Sequence, residues 1–182
     1  MARPRVAYSK NLGRDIAASL KRERPDLDQA DYLYLLYAQR VGRILEVVED
    51  RHCRSDYGIS GADMRVLYAL RRAGPAYALR PTELFRSLLV TSGAISKQVD
   101  RLMAAGYVDR QPGPDKSGGF LIHLTDKGFR AADSSLSAIA DSTIVSHSAL
   151  SPEERQTVCR LLEKMLLDLE ERLHEPDPKP RA

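Results

Sequence analysis

Three residues, Leu89-Val90-Thr91, separate two stretches that each carry apolar side chains at helical spacing. Before them, "LRPTELFRSLL" sets Pro81 in a first turn and gathers Leu84, Phe85, Leu88 and Leu89 on one face. After them, "SGAISKQVDRLMAAG" brings Ile95, Val99, Leu102 and Met103 to i, i+4, i+7 and i+8, the stripe of a helix with one buried face. Two helices joined so tightly must cross at a steep angle, which is the helix-turn-helix arrangement. The second helix opens on Thr91, Ser92, Gly93 and Ala94, although a glycine inside a helix costs roughly 1 kcal/mol relative to alanine. Small residues there leave the tip unobstructed, so that backbone N–H groups and short hydroxyls can approach another molecule closely.

The segment after Gly106 completes the unit. "YVDRQ" and "FLIHL" are β-prone runs flanking "PGPDKSGG", whose prolines and glycines mark a loop. Helix, tight turn, helix and hairpin make a winged helix. Upstream, residues 30–53 place Leu33, Tyr37, Val41, Ile44, Leu45 and Val48 at helical spacing. A shorter helix comes next, with Ser60 and Asp63 as a variant capping signature, Val66, Leu67 and Leu70 inward, and Gly74-Pro75 as its stop. Downstream, Thr125 opens a helix running to about Ser146, and "SPEE" at 151–154 forms a capping box with Pro152 at the first helical position. The last helix carries Val158, Leu161, Leu162, Met165, Leu166 and Leu169, a stripe too rich to stand alone. It needs a partner.

The fold class expected is mainly α with a small β-hairpin wing, a winged helix-turn-helix core carried on long dimerisation helices. The divisions are a basic N-terminal arm at 1–29, an N-terminal dimerisation helix at 30–58, a winged-helix DNA-binding domain at 59–128, C-terminal dimerisation helices at 129–175 and a tail at 176–182. In the arm, seven basic residues (Arg3, Arg5, Lys10, Arg14, Lys21, Arg22 and Arg24) face only Asp15 and Glu23 up to residue 24. Such an arm can touch nucleic acid, or be a solvated tail or packing extension.

Composition removes several classes. Two cysteines, Cys53 and Cys159, without CxxC spacing are too few for a disulfide scaffold, so a reducing compartment and a cytoplasmic protein are expected. The N-terminal stretch lacks the apolar core of a signal peptide, and no apolar run approaches the roughly 20 residues of a membrane span; no membrane association is expected. No Gly-rich phosphate loop, HExxH or nucleophile elbow occurs, so neither catalytic residues nor a cofactor are expected. His52-Cys53 beside Asp50, with His123, His147 and His174 dispersed, lacks metal-ligand spacing.

The run "LRPTELFRSLLVTSGAISKQVDRLMAAGYVDRQPGPDKSGGFLIHLTDKG" resembles the DNA-binding core of the MarR family of bacterial transcription regulators, in its "PTEL", "TSGA", "DRL", "AGYV" and "LT..G" elements. The flanking helices agree in order and length, so the resemblance reaches from about residue 30 to 174. It implies a homodimer whose terminal helices interlock while two winged helices read a pseudo-palindromic double-stranded DNA operator. Many members are repressors released by small aromatic acids or other phenolic compounds.

On the recognition helix, the face opposite Ile95, Val99 and Leu102 carries Ser92, Gly93, Ser96, Lys97 and Asp100, with Arg101 toward the edge. Thr91 is the expected cap, Ser92 and Ser96 can exchange hydrogen bonds with bases, and Lys97 can reach a guanine or a phosphate. Relatives carry an arginine pair near the wing tip. Here the stretch reads Asp115-Lys116-Ser117-Gly118-Gly119, leaving Lys116 at the tip and Arg110 at its base as the expected minor-groove contacts.

The resemblance further implies an effector pocket among the first two helices, the dimer helices and the reading head. Tyr37 and Arg40 from the first helix and Arg65 and Tyr68 from the second are its candidates. "VLYALRRAGPAYALRPTEL" is close to the urate-responsive branch, which usually has an acid at the position of Arg65 and a tryptophan on the first helix; this chain has neither. An arginine there can instead pair with a ligand carboxylate while tyrosines stack on a ring, so a small aromatic carboxylate or phenolic effector is expected. The same side chains also serve as core-edge packing pairs or interhelical salt bridges. An alternative function is a protein-interaction or architectural DNA-binding module without a small-molecule effector.

Overall fold

The computed structural model describes residues 12–28, 32–113, 119–140 and 149–174. The elements are α1 (Leu12–Glu23), α2 (Leu33–Asp56), α3 (Gly61–Arg72), β1 (Ala78–Leu79), α4 (Pro81–Ser87), α5 (Ser92–Ala104), β2 (Val108–Pro112), β3 (Phe120–Leu124), α6 (Asp126–Ala140) and α7 (Pro152–His174). The chain divides into two compact units, after residue 133.

In the first unit the core is the winged helix. Met64, Val66, Leu67 and Leu70 of α3, Leu84 of α4, and Ile95, Val99 and Leu102 of α5 are buried together with Val108 and Ile122 of the sheet and Ala131 and Ala132 of α6. The sheet has strand order β1-β3-β2 and is antiparallel throughout; Val108 faces Leu124 and Pro112 faces Phe120, while Ala78 faces His123. The hairpin is therefore as expected, with one addition. β1, only two residues long, is too short for any alternation to show in the sequence.

Local chemistry sets the helix ends. Ser60 caps α3 by accepting from the Asp63 N–H, Glu83 accepts from the Arg80 backbone N–H at the start of α4, and Thr91 caps α5 by accepting from the Ala94 N–H at 3.2 Å. The "LT..G" element has a physical reason. The Thr125 hydroxyl donates to the Gly106 carbonyl and accepts from the Gly128 N–H, Lys127 Nζ donates to the Ala105 carbonyl, and a Cβ on Gly128 would sit 2.0 Å from the Tyr107 carbonyl oxygen. Only glycine lets α6 back directly onto the chain that leaves α5.

Residues 12–23, read from sequence as part of a basic arm, form a helix. Ile16, Ser19 and Leu20 of α1 and Leu36, Gln39, Arg40 and Arg43 of α2 line a shallow cavity of about 470 Å³. In α2, Cys53 alone of the described residues is buried, and much of the stripe at helical spacing is exposed: Val41 is 55% and Ile44 and Leu45 each 47% accessible.

In the second unit, α7 starts with the expected box: the Ser151 N–H donates to Glu154 Oε2 at 2.7 Å, and the Glu154 N–H donates to Ser151 Oγ at 3.2 Å. Leu161, Leu162, Leu166, Leu167 and Leu173 along it are all exposed. Residues 141–148, where the preceding helix was expected to end, lie outside the described residues.

Candidate nucleic-acid interface

α5 is held by its buried face and offers its first two turns. Ile95, Val99 and Leu102 are at most 2% accessible, whereas Thr91, Ser92, Gly93, Ser96 and Lys97 are exposed. A Cβ added at Gly93 would meet nothing within 4 Å, so the glycine leaves open space in front of the helix rather than relieving a contact inside the protein. The Ser96 hydroxyl donates to the Ser92 carbonyl at 3.2 Å, an exposed local bond that a rotation can exchange for an external acceptor. Lys97 projects from the same surface. These five residues make one continuous polar tip.

Two polar side chains fix α5 against α3. Gln98 is buried and donates through Nε2 to the Ala62 carbonyl at 3.1 Å. Arg101 forms a forked pair with Asp63, Nη2 to Oδ1 at 2.6 Å and Nε to Oδ2 at 3.3 Å. The Asp63 side chain is only 5% accessible and also accepts the Ser60 hydroxyl, while Arg101 remains 55% accessible. Its hydrogen bond to Asp63 raises the guanidinium further above its ordinary value. Asp63 thus serves at once in the start of α3 and in the anchoring of α5. The sequence marked the first role through Ser60 three residues earlier; a pairing across 38 positions carries no local signal.

The wing base is tied as well. Arg110 Nη2 pairs with Asp100 at 2.9 Å, and its guanidinium lies 4.9 Å from the centre of the Phe120 ring. Both members of the ion pair are at least 40% accessible, so the pair contributes little and can yield to a phosphate. Lys116 lies outside the described residues. At the opposite edge of the sheet, Arg71 places its guanidinium 5.1 Å from the Tyr77 ring and 4.5 Å from the Phe129 ring and pairs with Asp133 at 2.7 Å. This cluster, missed in the sequence, locks α3, the approach to β1 and α6 together.

Two of the expected effector residues line different cavities. Arg40 lines the α1–α2 cavity, whereas Arg65 lines a separate groove of about 310 Å³ with Arg43, Glu46, Asp50 and Arg51. Tyr68 packs partly buried against the core and Tyr37 is 40% accessible, and neither lines these two cavities. Arg65 pairs with Glu49 across α2 and α3. Burial lifts the Glu49 carboxyl above its ordinary value, an effect that the neighbouring Arg65 opposes. Among the described residues no group of acidic, histidine and cysteine side chains could hold a metal, and no helix is long and apolar enough to cross a membrane.

This geometry, an exposed helix tip beside a β-hairpin, agrees with comparisons to known proteins. The MarR family profile matches residues 57–116. The transcriptional regulator PecS of Dickeya dadantii is 32% identical over 115 residues, covering 63% of this chain and 69% of that protein. The multiple antibiotic resistance protein MarR of Escherichia coli K12 is 33% identical over 94 residues, 48% of this chain and 63% of that protein. Among solved structures, apo MarR of E. coli superposes with a TM-score of 0.56 at 28% identity, covering 70% of this chain and 95% of that one. Sco3205 of Streptomyces coelicolor, a MarR family regulator solved in complex with DNA, gives a TM-score of 0.65 at 25% identity, covering 84% of this chain and 93% of that one. The chain belongs to the MarR family of winged-helix, DNA-binding transcription regulators, which are not enzymes.

Proposed function

We propose that the protein is a cytoplasmic homodimeric repressor whose two α5 helices enter successive major grooves of a pseudo-palindromic operator. The observation that carries this reading is the exposed tip of α5, where Thr91, Ser92, Gly93, Ser96 and Lys97 surround free space while the opposite face is buried. Short hydroxyls and one ammonium suit base edges and phosphates, and the helix N-terminus favours an anion. Arg110 and Lys116 are assigned to the wing contact, and Arg101 to holding the reading helix through Asp63. A regulator of this family solved in complex with DNA supports DNA as the partner. The exposed apolar stripes of α2 and α7 supply the surface for a second copy.

Selection from a random duplex library should enrich an inverted repeat whose half-site centres lie about one helical turn, roughly 34 Å, apart. Affinity should fall steeply with salt, because phosphate contacts release counterions. No enrichment, or binding indifferent to salt, would sink the reading.

The effector in this reading is a small aromatic carboxylate or phenol, reached through Arg65, with Arg40, Tyr37 and Tyr68 around the α2–α3 region. Its carboxylate would take the place of Glu49 on Arg65, an exchange eased because burial already disfavours the Glu49 charge. Ligand binding that changes the spacing of the two reading helices would release the operator, which requires different affinities for two conformations. A thermal-shift screen of aromatic acids in which no compound stabilises the protein, and in which Arg65→Ala behaves as wild type, would refute the effector site.

A further inference from the structure

The turn between α4 and α5 holds a residue in a conformation that its side chain does not favour. α4 ends in a Schellman motif: the Val90 N–H donates to the Phe85 carbonyl at 3.1 Å and the Leu89 N–H to the Arg86 carbonyl at 3.3 Å. The residue in the left-handed position is Leu89, with φ of 52°. α5 ends in the same motif, with the Tyr107 N–H on the Leu102 carbonyl and the Gly106 N–H on the Met103 carbonyl, both at 2.9 Å, and there the left-handed residue is Gly106, φ 75°. The same chain thus builds one motif twice, once with the residue the backbone prefers and once without.

Packing does not account for the leucine. Leu89 is 76% accessible, the most exposed large apolar side chain among the described residues, and Val90 beside it is 36% accessible. An exposed isobutyl group on a strained backbone adds nothing to the core, and retained strain points to a function. Its place defines which one. Leu89 stands two residues before the Thr91 cap, and it is exposed as are Ser92, Gly93, Ser96 and Lys97 at the start of the helix that follows. Base edges in the major groove are hydrogen-bonding groups with one exception, the C5 methyl of thymine.

We propose that Leu89 is a specificity-determining residue that packs on a thymine methyl in each half-site, adding an apolar reading to the polar one made by α5. The inference rests on the DNA-reading assignment above. It is tested with the full chain on the operator enriched by the wild type, each thymine of a half-site being replaced singly by deoxyuridine, which removes only the methyl. At one position per half-site the replacement should weaken wild-type binding about three- to fivefold, the worth of one buried methyl, and leave Leu89→Ala binding unchanged. Leu89→Gly should melt at the wild-type temperature or above it while showing the same indifference to deoxyuridine, since glycine relaxes the backbone and no packing is lost.

Equal tolerance of deoxyuridine by wild type and Leu89→Ala at every thymine would overturn the proposal. So would a uniform loss of affinity in Leu89→Ala that ignores the methyl, which would mean a sugar contact, or a clearly lowered melting temperature of Leu89→Gly, which would mean packing within the protein. If the wild type enriches no sequence, the DNA reading itself fails before Leu89 is changed.

Discussion

Two basic side chains on α5 look alike in sequence and differ in their surroundings. Arg101 sits on a buried carboxylate, whereas Lys97 stands in open surface. Removing Arg101 leaves Asp63 desolvated with only the Ser60 hydroxyl, so Arg101→Ala should cost about 2 kcal/mol in urea unfolding, the value for a broken buried pair discounted for the exposure of the arginine. Lys97→Ala should change stability by less than about 0.5 kcal/mol yet lower operator affinity, read by fluorescence anisotropy. Gly93 gives the opposite contrast. Because its added Cβ meets nothing, Gly93→Leu should raise thermal stability modestly, by about 0.5–1 kcal/mol from helix propensity. It should at the same time weaken operator binding at least tenfold by filling the clearance.

At the scale of elements, the contact of α2 with α3 should depend on pH through Glu49, which pairs with Arg65. Burial lifts its carboxyl and Arg65 opposes the lift, so over a window just above the ordinary glutamate value the folded protein should still hold a proton that the unfolded chain has released. The folded state therefore binds more protons over that window, and stability falls as pH rises from the ordinary glutamate value, about 4.3, through the folded one. In Glu49→Gln the fall should disappear; denaturant midpoints measured between about pH 4 and pH 7 for both proteins check this. Three helix starts were legible because capping is local. Ser60 with Asp63, Thr91 with Ala94 and Ser151 with Glu154 all lie within three residues, and all form. α1 was also legible in principle, through Ile16 and Leu20 four residues apart, but the run of arginines and lysines around them concealed the spacing.

For the whole molecule, the exposed leucines of α7 are, with the stripe of α2, an extended apolar surface among the described residues. Burying them against a second copy is the proposed resolution, and it is open to test because a single chain loses nothing by their replacement. Leu166 is 55% accessible, so Leu166→Glu should leave the helix intact while shifting the protein toward monomer in light scattering after size exclusion. Binding to a two-half-site operator should fall with it, and a Leu166→Glu protein that remains dimeric with full operator affinity would remove α7 from the interface.

The sequence by itself determined the elements from α2 onward and their order, β1 excepted, because helical and strand periods, caps and a three-residue connection act between neighbours in the chain. It also determined the small tip of α5 and the family. Tertiary structure alone decided which charged residues are committed and which are open, since Asp63 meets Arg101, Glu49 meets Arg65 and Arg71 meets Asp133 across long separations that no local pattern encodes. It also decided that the turn before α5 holds Leu89 left-handed and exposed, because backbone sign and accessibility depend on how α4 and α5 close on each other and not on the identity of the residue between them.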